Sequence, residues 1–213
     1  MQSKTLTVKE LLKNLIFIFF PREAGGNFLK NLIELGTESK KIQQKETLKE
    51  LLYLLKKTNK PYFHLEELTT SASINTIDFL KKIKSKIEEN KSPVFCDHYY
   101  TYESHKNFFK NFKIEKFIVI TCYNSHELLN SRRKKHKTPV LSDEEIQLNN
   151  IFVKFLKEEL KNAKIIEIEY KDLTNTELYL NFLEKINKVF DIDIPVNDCK
   201  ELVDFYLKNK VLS

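Results

Sequence analysis

The sequence predicts an α/β fold in three layers, with a central parallel sheet of about four to five strands flanked by helices. Four short apolar runs alternate with longer stretches of helical periodicity, an alternation typical of parallel sheets. The 213 residues include three glycines and five prolines, too few for the many tight turns of sandwiches, barrels and propellers. At 41% hydrophobic and 31% charged residues, the chain can bury a sizeable core, and we expect residues 1–213 to form a single domain.

The predicted strands are rich in Ile, Val and Phe, as expected of strands that are buried on both faces. They are Leu15–Phe20, Pro93–Cys96, Phe117–Thr121 and Ile165–Ile168. The predicted helices are Asn27–Leu35, Thr47–Lys57, Ile74–Glu89, Tyr102–Phe112, His126–Lys135, Asp143–Leu160, Thr176–Phe190 and Asn197–Leu207. Ser142 and Glu145 have the spacing of a capping box, which marks the start of the sixth helix.

Charge and cysteine content limit the class of protein. The formal net charge of +6 favours anionic partners without naming one. The longest early apolar run, Leu15–Phe20, is far shorter than a membrane-spanning helix. Cys96, Cys122 and Cys199 fit neither a disulfide framework nor a zinc site. We therefore expect a cytoplasmic protein with buried, reduced thiols, without a membrane span or a metal, and we leave the oligomeric state open.

The residues after the first predicted strand form a candidate anion site. Ligands of parallel sheets bind beyond the carboxyl ends of the strands, and this strand continues into Pro21-Arg22-Glu23-Ala24-Gly25-Gly26-Asn27-Phe28. Small residues let backbone N–H groups approach an oxyanion at a helix N-terminus, and Arg22 would add a forked, charged donor. The alternative is a plain turn that needs two glycines. Because no Gly-Lys-Ser/Thr follows, the loop is not a Walker A motif.

Two other strand ends carry candidate residues. The second strand is followed by His98, a residue type suited to general base catalysis near neutral pH, although a structural histidine is the alternative. The third strand is followed by Tyr123 and Asn124, and the next helix contains Ser131-Arg132-Arg133. The basic run that starts at Arg132 fits a polyanionic acceptor, a nucleic acid or a solvated helix face.

In their order along the chain, these segments resemble sulfotransferases, particularly the carbohydrate branch, which have a P-loop NTPase-like fold. The loop that resembles the family's 5′-phosphosulfate loop consists of Pro21, Arg22, Ala24, Gly25 and Gly26. Asn27 stands where a hydroxyl residue is commoner. The resemblance implies 3′-phosphoadenosine 5′-phosphosulfate as the donor and co-substrate, no metal, and His98 as the base that takes the proton of the acceptor hydroxyl.

The family's 3′-phosphate motif is matched only in part. Ser131 fits its helical serine and Asn124 its second position, whereas Tyr123 replaces an arginine and Ser125 a proline. The resemblance implies a 3′-phosphate site made of Tyr123, Ser131, Arg132 and Arg133, in which Arg132 or Arg133 compensates for the missing arginine. The segment from Lys164 to Leu173 resembles the closing strand and turn of many sulfotransferases and has a structural role.

The hypothesis from the sequence is sulfuryl transfer from 3′-phosphoadenosine 5′-phosphosulfate to an acceptor hydroxyl of a carbohydrate. The expected catalytic residues are His98 and Arg22. The expected donor-binding residues are Arg22, Glu23, Ala24, Gly25, Gly26, Asn27, Phe28, Tyr123, Ser131, Arg132 and Arg133. The alternatives are an inactive binding protein with this fold, a basic nucleic-acid-binding protein, and a nucleotide kinase without its Walker lysine. We expect acceptor specificity to depend on loops at Gly36–Glu46, Tyr62–Ser73 and Tyr99–Ser104.

Overall fold

The fold is described from a computed structural model of the chain, over residues 15–37, 41–57, 94–98 and 114–211. Its strands are β1 (Ile16–Phe20), β2 (Val94–His98), β3 (Lys116–Thr121) and β4 (Lys164–Glu169). Its helices are α1 (Gly26–Gly36), α2 (Lys41–Lys57), α3 (His126–Lys135), α4 (Asp143–Glu159), α5 (Thr176–Phe190) and α6 (Val196–Tyr206). A 3₁₀ turn, Tyr170–Thr174, follows β4, and a π-helical segment, Leu207–Val211, follows α6.

The strands form one parallel sheet in the order β2-β1-β3-β4. Ile16 of β1 lies opposite Val94 of β2 and Lys116 of β3. The register with β2 continues to the end of both strands, where Phe20 lies opposite His98. The predicted parallel sheet is therefore confirmed, with four strands over the described residues, and the loops that follow β1, β3 and β4 open at one edge of the sheet.

Helices cover both faces of this sheet. Because side chains of a strand alternate between the two faces, each strand contributes to two separate cores. Ile16, Ile18 and Phe20 belong to a core shared with α1, α2, α5 and α6. Phe17 and Phe19 face the other way and belong to a second core with α4. This arrangement confirms the three layers of the predicted α/β fold.

The predicted starts of α1, α3, α4, α5 and α6 agree with the structure to within one residue, whereas α2 starts six residues before its predicted start at Thr47. The capping box at α4 is formed: the Glu145 N–H donates to Ser142 Oγ at 3.1 Å, and the Ser142 N–H donates to Glu145 Oε2 at 3.0 Å. At α5 the Leu178 N–H donates to Asn175 Oδ1 at 3.1 Å. These two helices therefore carry their own acceptors at their N-termini.

One predicted loop is wrong in part, because α2 begins at Lys41 and the segment Gly36–Glu46 is therefore largely helical. Gln44 explains the longer helix: it is buried, and its Nε2 donates to the carbonyl oxygens of Leu35 at 3.0 Å and Asp193 at 3.1 Å. β2 also extends beyond its predicted end at Cys96. The predicted helices Ile74–Glu89 and Tyr102–Phe112 and the loops Tyr62–Ser73 and Tyr99–Ser104 lie outside the described residues.

The cysteines all lie in the described ranges, and each is a buried free thiol. Burial raises the pKa of Cys122 to about 11 and that of Cys199 to about 12. The thiols are therefore poor nucleophiles near neutral pH, since the thiolate is the reactive form. Over the same ranges, none of the helices combines the length and the apolar character that crossing a membrane requires.

Candidate anion-binding site

The loop between β1 and α1 is a tight turn with an unusual backbone. The Ala24 N–H donates to the carbonyl of Pro21 at 3.0 Å. Glu23 and Gly25 both have left-handed backbone angles, with φ of 72° and 83°. Gly25 is the N-cap of α1, and the first turn of the helix contains no acidic residue. The positive end of α1 therefore lacks both a capping side chain of its own and a first-turn carboxylate.

Packing against the chain's own rings accounts for both glycines of this loop. A Cβ on Gly25 would lie 2.7 Å from the hydroxyl oxygen of Tyr206, and a Cβ on Gly26 would lie 2.1 Å from the ring of Phe20. Tyr206 is held in place by stacking on Phe28, with ring centroids 3.8 Å apart. The groups that lie against the two glycines are thus aromatic side chains of the protein itself, so the glycine pair alone does not indicate a ligand.

The two charged residues of the loop are placed differently. Arg22 is exposed to solvent, where it is available to a ligand. Glu23 is buried with 7% exposure, and its Oε1 accepts a hydrogen bond of 3.4 Å from Thr138 Oγ1. A buried carboxylate in this loop opposes the binding of an anion, unless a cation compensates for it.

Such cations are present close to the loop. Arg132 and Arg133 of α3 are 5% and 3% exposed, although a solvated face was one of the expectations for this basic run. The exposed part of the run consists of Lys134, Lys135, His136 and Lys137. Burying two adjacent guanidinium groups is costly unless anions or acceptors compensate for them.

Arg132 connects the loop region to the C-terminal helices. Its Nη1 and Nη2 donate to the hydroxyl oxygens of Tyr170 and Tyr206, both at 3.4 Å, which is long for a hydrogen bond. Its Nε is buried and has no hydrogen-bond partner within the described ranges. Burial lowers the pKa of Arg132 and the oxygens of Tyr206 and Tyr170 raise it, with a net increase, so the group stays charged.

Arg133 points to a different part of the molecule. Its Nη2 lies 3.5 Å from Oε1 of Glu145 at the start of α4. Its Nε and Nη1 lack hydrogen-bond partners in the part of the chain that the structure describes. Buried donors that are left without acceptors are uncommon in proteins and call for an explanation such as a bound anion or water.

His98 lies at the carboxyl end of β2, next to the last residue of β1 in the sheet register. Its backbone is thus beside the start of the Pro21–Gly25 loop, and its side chain is outside the description. A contact nearby joins β2 to the first turn of α1: Cys96 Sγ donates to Oδ1 of Asn27 at 3.0 Å.

The loop between β3 and α3 is arranged around a carboxylate from β4. Glu169 Oε1 accepts hydrogen bonds from the Asn124 N–H at 2.9 Å and from Ser125 Oγ at 2.6 Å. Its Oε2 accepts from Thr121 Oγ1 at 2.7 Å. A carboxylate of the chain itself therefore occupies the N-terminus of α3, where an anion is most favourable.

The expected contacts of a 3′-phosphate are not gathered at this loop. Tyr123 is half-buried, and burial together with the nearby Glu167 raises its pKa to about 12, so it is a neutral phenol beside carboxylates. Ser131 is exposed on α3. The arginines that follow it lie inside the protein instead, and Arg132 is directed toward Tyr206 above Gly25.

A groove of about 320 Å³ lies beyond Glu169, along β4 and α5. Its polar lining consists of Thr121, Glu167, Glu169, Asp172, Asn181 and Lys185. Glu167 is also paired with Lys157 at 2.6 Å. Over the described residues, no group of three or more His, Cys, Asp or Glu side chains is placed to hold a metal ion.

Three residues of this region were not identified from the sequence: Glu169, Tyr170 and Tyr206. The segment containing Glu169 and Tyr170 was assigned a structural role, and only the alternation of Glu167 and Glu169 along a short strand hinted at polar surroundings. Tyr206 carries no signal, because its position over Gly25 arises from tertiary packing. The chain gives no significant match to any protein-family model, curated protein or solved structure.

Proposed function

We propose that the protein is a sulfotransferase, which moves a sulfuryl group from an adenosine phosphosulfate to an acceptor hydroxyl of a carbohydrate. The resemblance implies the 3′-phosphorylated form, 3′-phosphoadenosine 5′-phosphosulfate, as donor. The observation that carries the proposal is the buried Arg132, whose Nε has no partner in the described ranges and whose Nη2 reaches Tyr206 above Gly25. A buried cation with an unused donor, next to a helix N-terminus, suits a phosphate or sulfate group.

In this proposal the reaction is an in-line displacement at sulfur. The acceptor oxygen forms a new bond to sulfur, the bond from sulfur to the bridging oxygen of the donor breaks, and the nucleoside phosphate leaves. His98 takes the proton of the acceptor hydroxyl. Arg22 and the amides at the start of α1 stabilise the charge that develops on the sulfuryl and bridging oxygens, and Arg132 binds donor phosphate. Catalysis then rests on positioning and electrostatic stabilisation.

Turnover with labelled donor and mixed carbohydrate acceptors tests this proposal. Arg22→Ala should abolish transfer and weaken donor binding, because it removes a charged donor at the transferred group. His98→Ala should abolish transfer and leave nucleotide affinity nearly unchanged. His136→Ala removes another histidine, which is exposed in the basic run that follows Arg133. It is the matched control and should keep full activity. Full activity of His98→Ala would reject the assigned base.

The second candidate function is binding without catalysis. It is favoured by Tyr123 in place of an arginine and by Glu169 at the N-terminus of α3, since both weaken the expected 3′-phosphate site. Calorimetric titration separates the candidates from each other. No affinity for adenosine 5′-phosphate or adenosine 3′,5′-bisphosphate at high ligand concentration would reject the enzyme, and affinity without transfer to any acceptor would favour the binding protein.

A nucleic-acid-binding protein remains the third candidate. Its surface would be the exposed run from Lys134 to Lys137, which lacks the two arginines because they are buried. Such binding depends on phosphate neutralisation and falls steeply with added salt. A salt-independent nucleotide affinity combined with no affinity for oligonucleotides would exclude it.

A further inference from the structure

Glu169 determines which chemical group can approach the N-terminus of α3. Its carboxylate holds the Asn124 N–H, the Ser125 hydroxyl and the Thr121 hydroxyl at 2.6–2.9 Å. A phosphate that used the same amide would have to displace this carboxylate or lie directly beside it. Two anions at contact distance repel each other strongly where water is partly excluded.

The same carboxylate suits a hydroxyl group. A carboxylate offers about four acceptor positions, and the contacts above use two on Oε1 and one on Oε2. Glu169 and Thr121 also line the groove beside β4, so the carboxylate lies in the wall of this groove, and the hydrogen bonds above leave one acceptor position on Oε2. Acidic side chains at this edge of an α/β sheet are well suited to accept a hydrogen bond from a ribose hydroxyl, and they disfavour a phosphate at the same position.

We infer that Glu169 selects a donor with a free ribose hydroxyl over one with a 3′-phosphate, so that this site prefers adenosine 5′-phosphosulfate. The inference rests on the proposed sulfuryl transfer and sharpens it, because it changes the donor that the resemblance alone implies. The single anionic group of such a donor is held at the α1 end of the sheet, by Arg22, the loop amides and Arg132. The ribose hydroxyl donates to Glu169.

Calorimetric titration with adenosine 5′-phosphate and adenosine 3′,5′-bisphosphate tests the selectivity without requiring turnover. The unmodified protein should bind the monophosphate at least fivefold more tightly. Glu169→Gln, which keeps an acceptor for the Asn124 N–H, should remove this preference. Glu169→Ala, which also vacates the position, should reverse it. Glu184→Ala is the matched control, exposed on α5 outside the groove lining and with the same charge change, and should behave as the unmodified protein does.

Tighter binding of the bisphosphate by the unmodified protein would overturn the inference and leave the proposed function standing. If neither nucleotide binds, the proposed function fails, and a second measurement still decides the role of Glu169. Sodium sulfate should raise the melting temperature of Glu169→Ala more than that of Glu184→Ala, relative to sodium chloride of equal ionic strength, because sulfate can enter the vacated position. Equal shifts in the two variants would overturn the inference.

Discussion

The N-termini of α1 and α3 follow neighbouring parallel strands and open at the same edge of the sheet, yet they are completed differently. At α3, Glu169 from β4 accepts hydrogen bonds from the Asn124 N–H and the Ser125 hydroxyl. At α1, the cap is Gly25 and no first-turn residue is acidic. The charges on that side are the buried carboxylate of Glu23 in the loop itself and the buried guanidinium of Arg132, which reaches Tyr206 above Gly25.

This difference shows that two similar strand-loop-helix units in one sheet can have opposite chemistry. The α3 unit receives an anion from β4, and the α1 unit has a buried cation from α3 beside it in addition to the buried Glu23 of its own loop. In both cases the deciding residue comes from another element, Glu169 from β4 and Arg132 from α3. A loop motif therefore indicates where an anion could bind, and residues remote in sequence decide whether one does.

The largest expected effect is the loss of anion binding when the cation at the α1 end is removed. Arg132→Met keeps much of the side chain's volume and removes the charge, and we expect affinity for adenosine 5′-phosphate to fall at least about 100-fold, as for the loss of a buried charge partner. Isothermal titration calorimetry measures this change.

Arg133→Met provides the control for Arg132, because Arg133 is directed to Glu145 at α4. Its affinity should fall by less than about tenfold, the change that 1.4 kcal/mol produces. Equal losses in the two variants would show that the arginines act together and that the α1 end is not a separate anion site.

An intermediate effect is expected on stability when Gly26 becomes alanine. The added Cβ would lie 2.1 Å from the ring of Phe20, which is buried in the core. We expect Gly26→Ala to lower the free energy of unfolding by about 1–3 kcal/mol in urea denaturation without any ligand. Lys45→Ala, on the exposed side of α2, should change it by less than about 0.5 kcal/mol. A fully stable Gly26→Ala variant that had lost only ligand affinity would contradict the packing role.

The smallest effect is expected at Cys122, which precedes the loop at the α3 end. Its pKa is raised to about 11, mainly by burial and next by the Glu169 carboxylate. Glu169→Gln should therefore lower this pKa, and Glu167→Gln should leave it unchanged. The thiolate absorbance between pH 8 and 12, in a variant with Cys96→Ala and Cys199→Ala, reports the ionisation. An equal Cys122 pKa in the two variants would show that the charge of Glu169 has no effect on the ionisation of this thiol.

The raised pKa of Cys122 also determines how the stability of the protein changes with pH. The thiol of Cys122 ionises at higher pH in the folded protein than the ordinary pKa of 9.0. The folded state therefore keeps this proton more tightly than the unfolded state does. The stability that comes from this tighter proton binding at Cys122 is complete below pH 9 and is lost as the pH rises toward 11.

Most of the described fold was predictable because the local patterns agree with the tertiary structure. The apolar runs are strands because they are buried between two helical layers, and Ser142 with Glu145 marks α4 through a local hydrogen-bond pattern. The start of α2 was not predictable, since it depends on the contacts of Gln44 with Leu35 and Asp193. Long-range contacts of this kind leave no periodic signal in the sequence.

The candidate site was predictable only at the level of its loop. Position at the carboxyl end of β1 identified the segment from Pro21 to Gly26, and topology placed His98 beside it in the sheet. The burial of Arg132 and Arg133 in a strongly basic run was not predictable, because charge runs are commonly solvated. Sulfuryl transfer and the donor remain predictions that the experiments above are designed to test.

The contact between Tyr206 and Gly25 also constrains when the protein can become functional. The hydroxyl of Tyr206 covers the N-cap of α1 and accepts a hydrogen bond from Arg132. Translation proceeds from the N-terminus, so the Pro21–Gly25 loop is made early and Tyr206 very late. The loop cannot reach its folded packing before Tyr206 has left the ribosome, and a nascent chain stalled short of α6 would expose this loop without its cover.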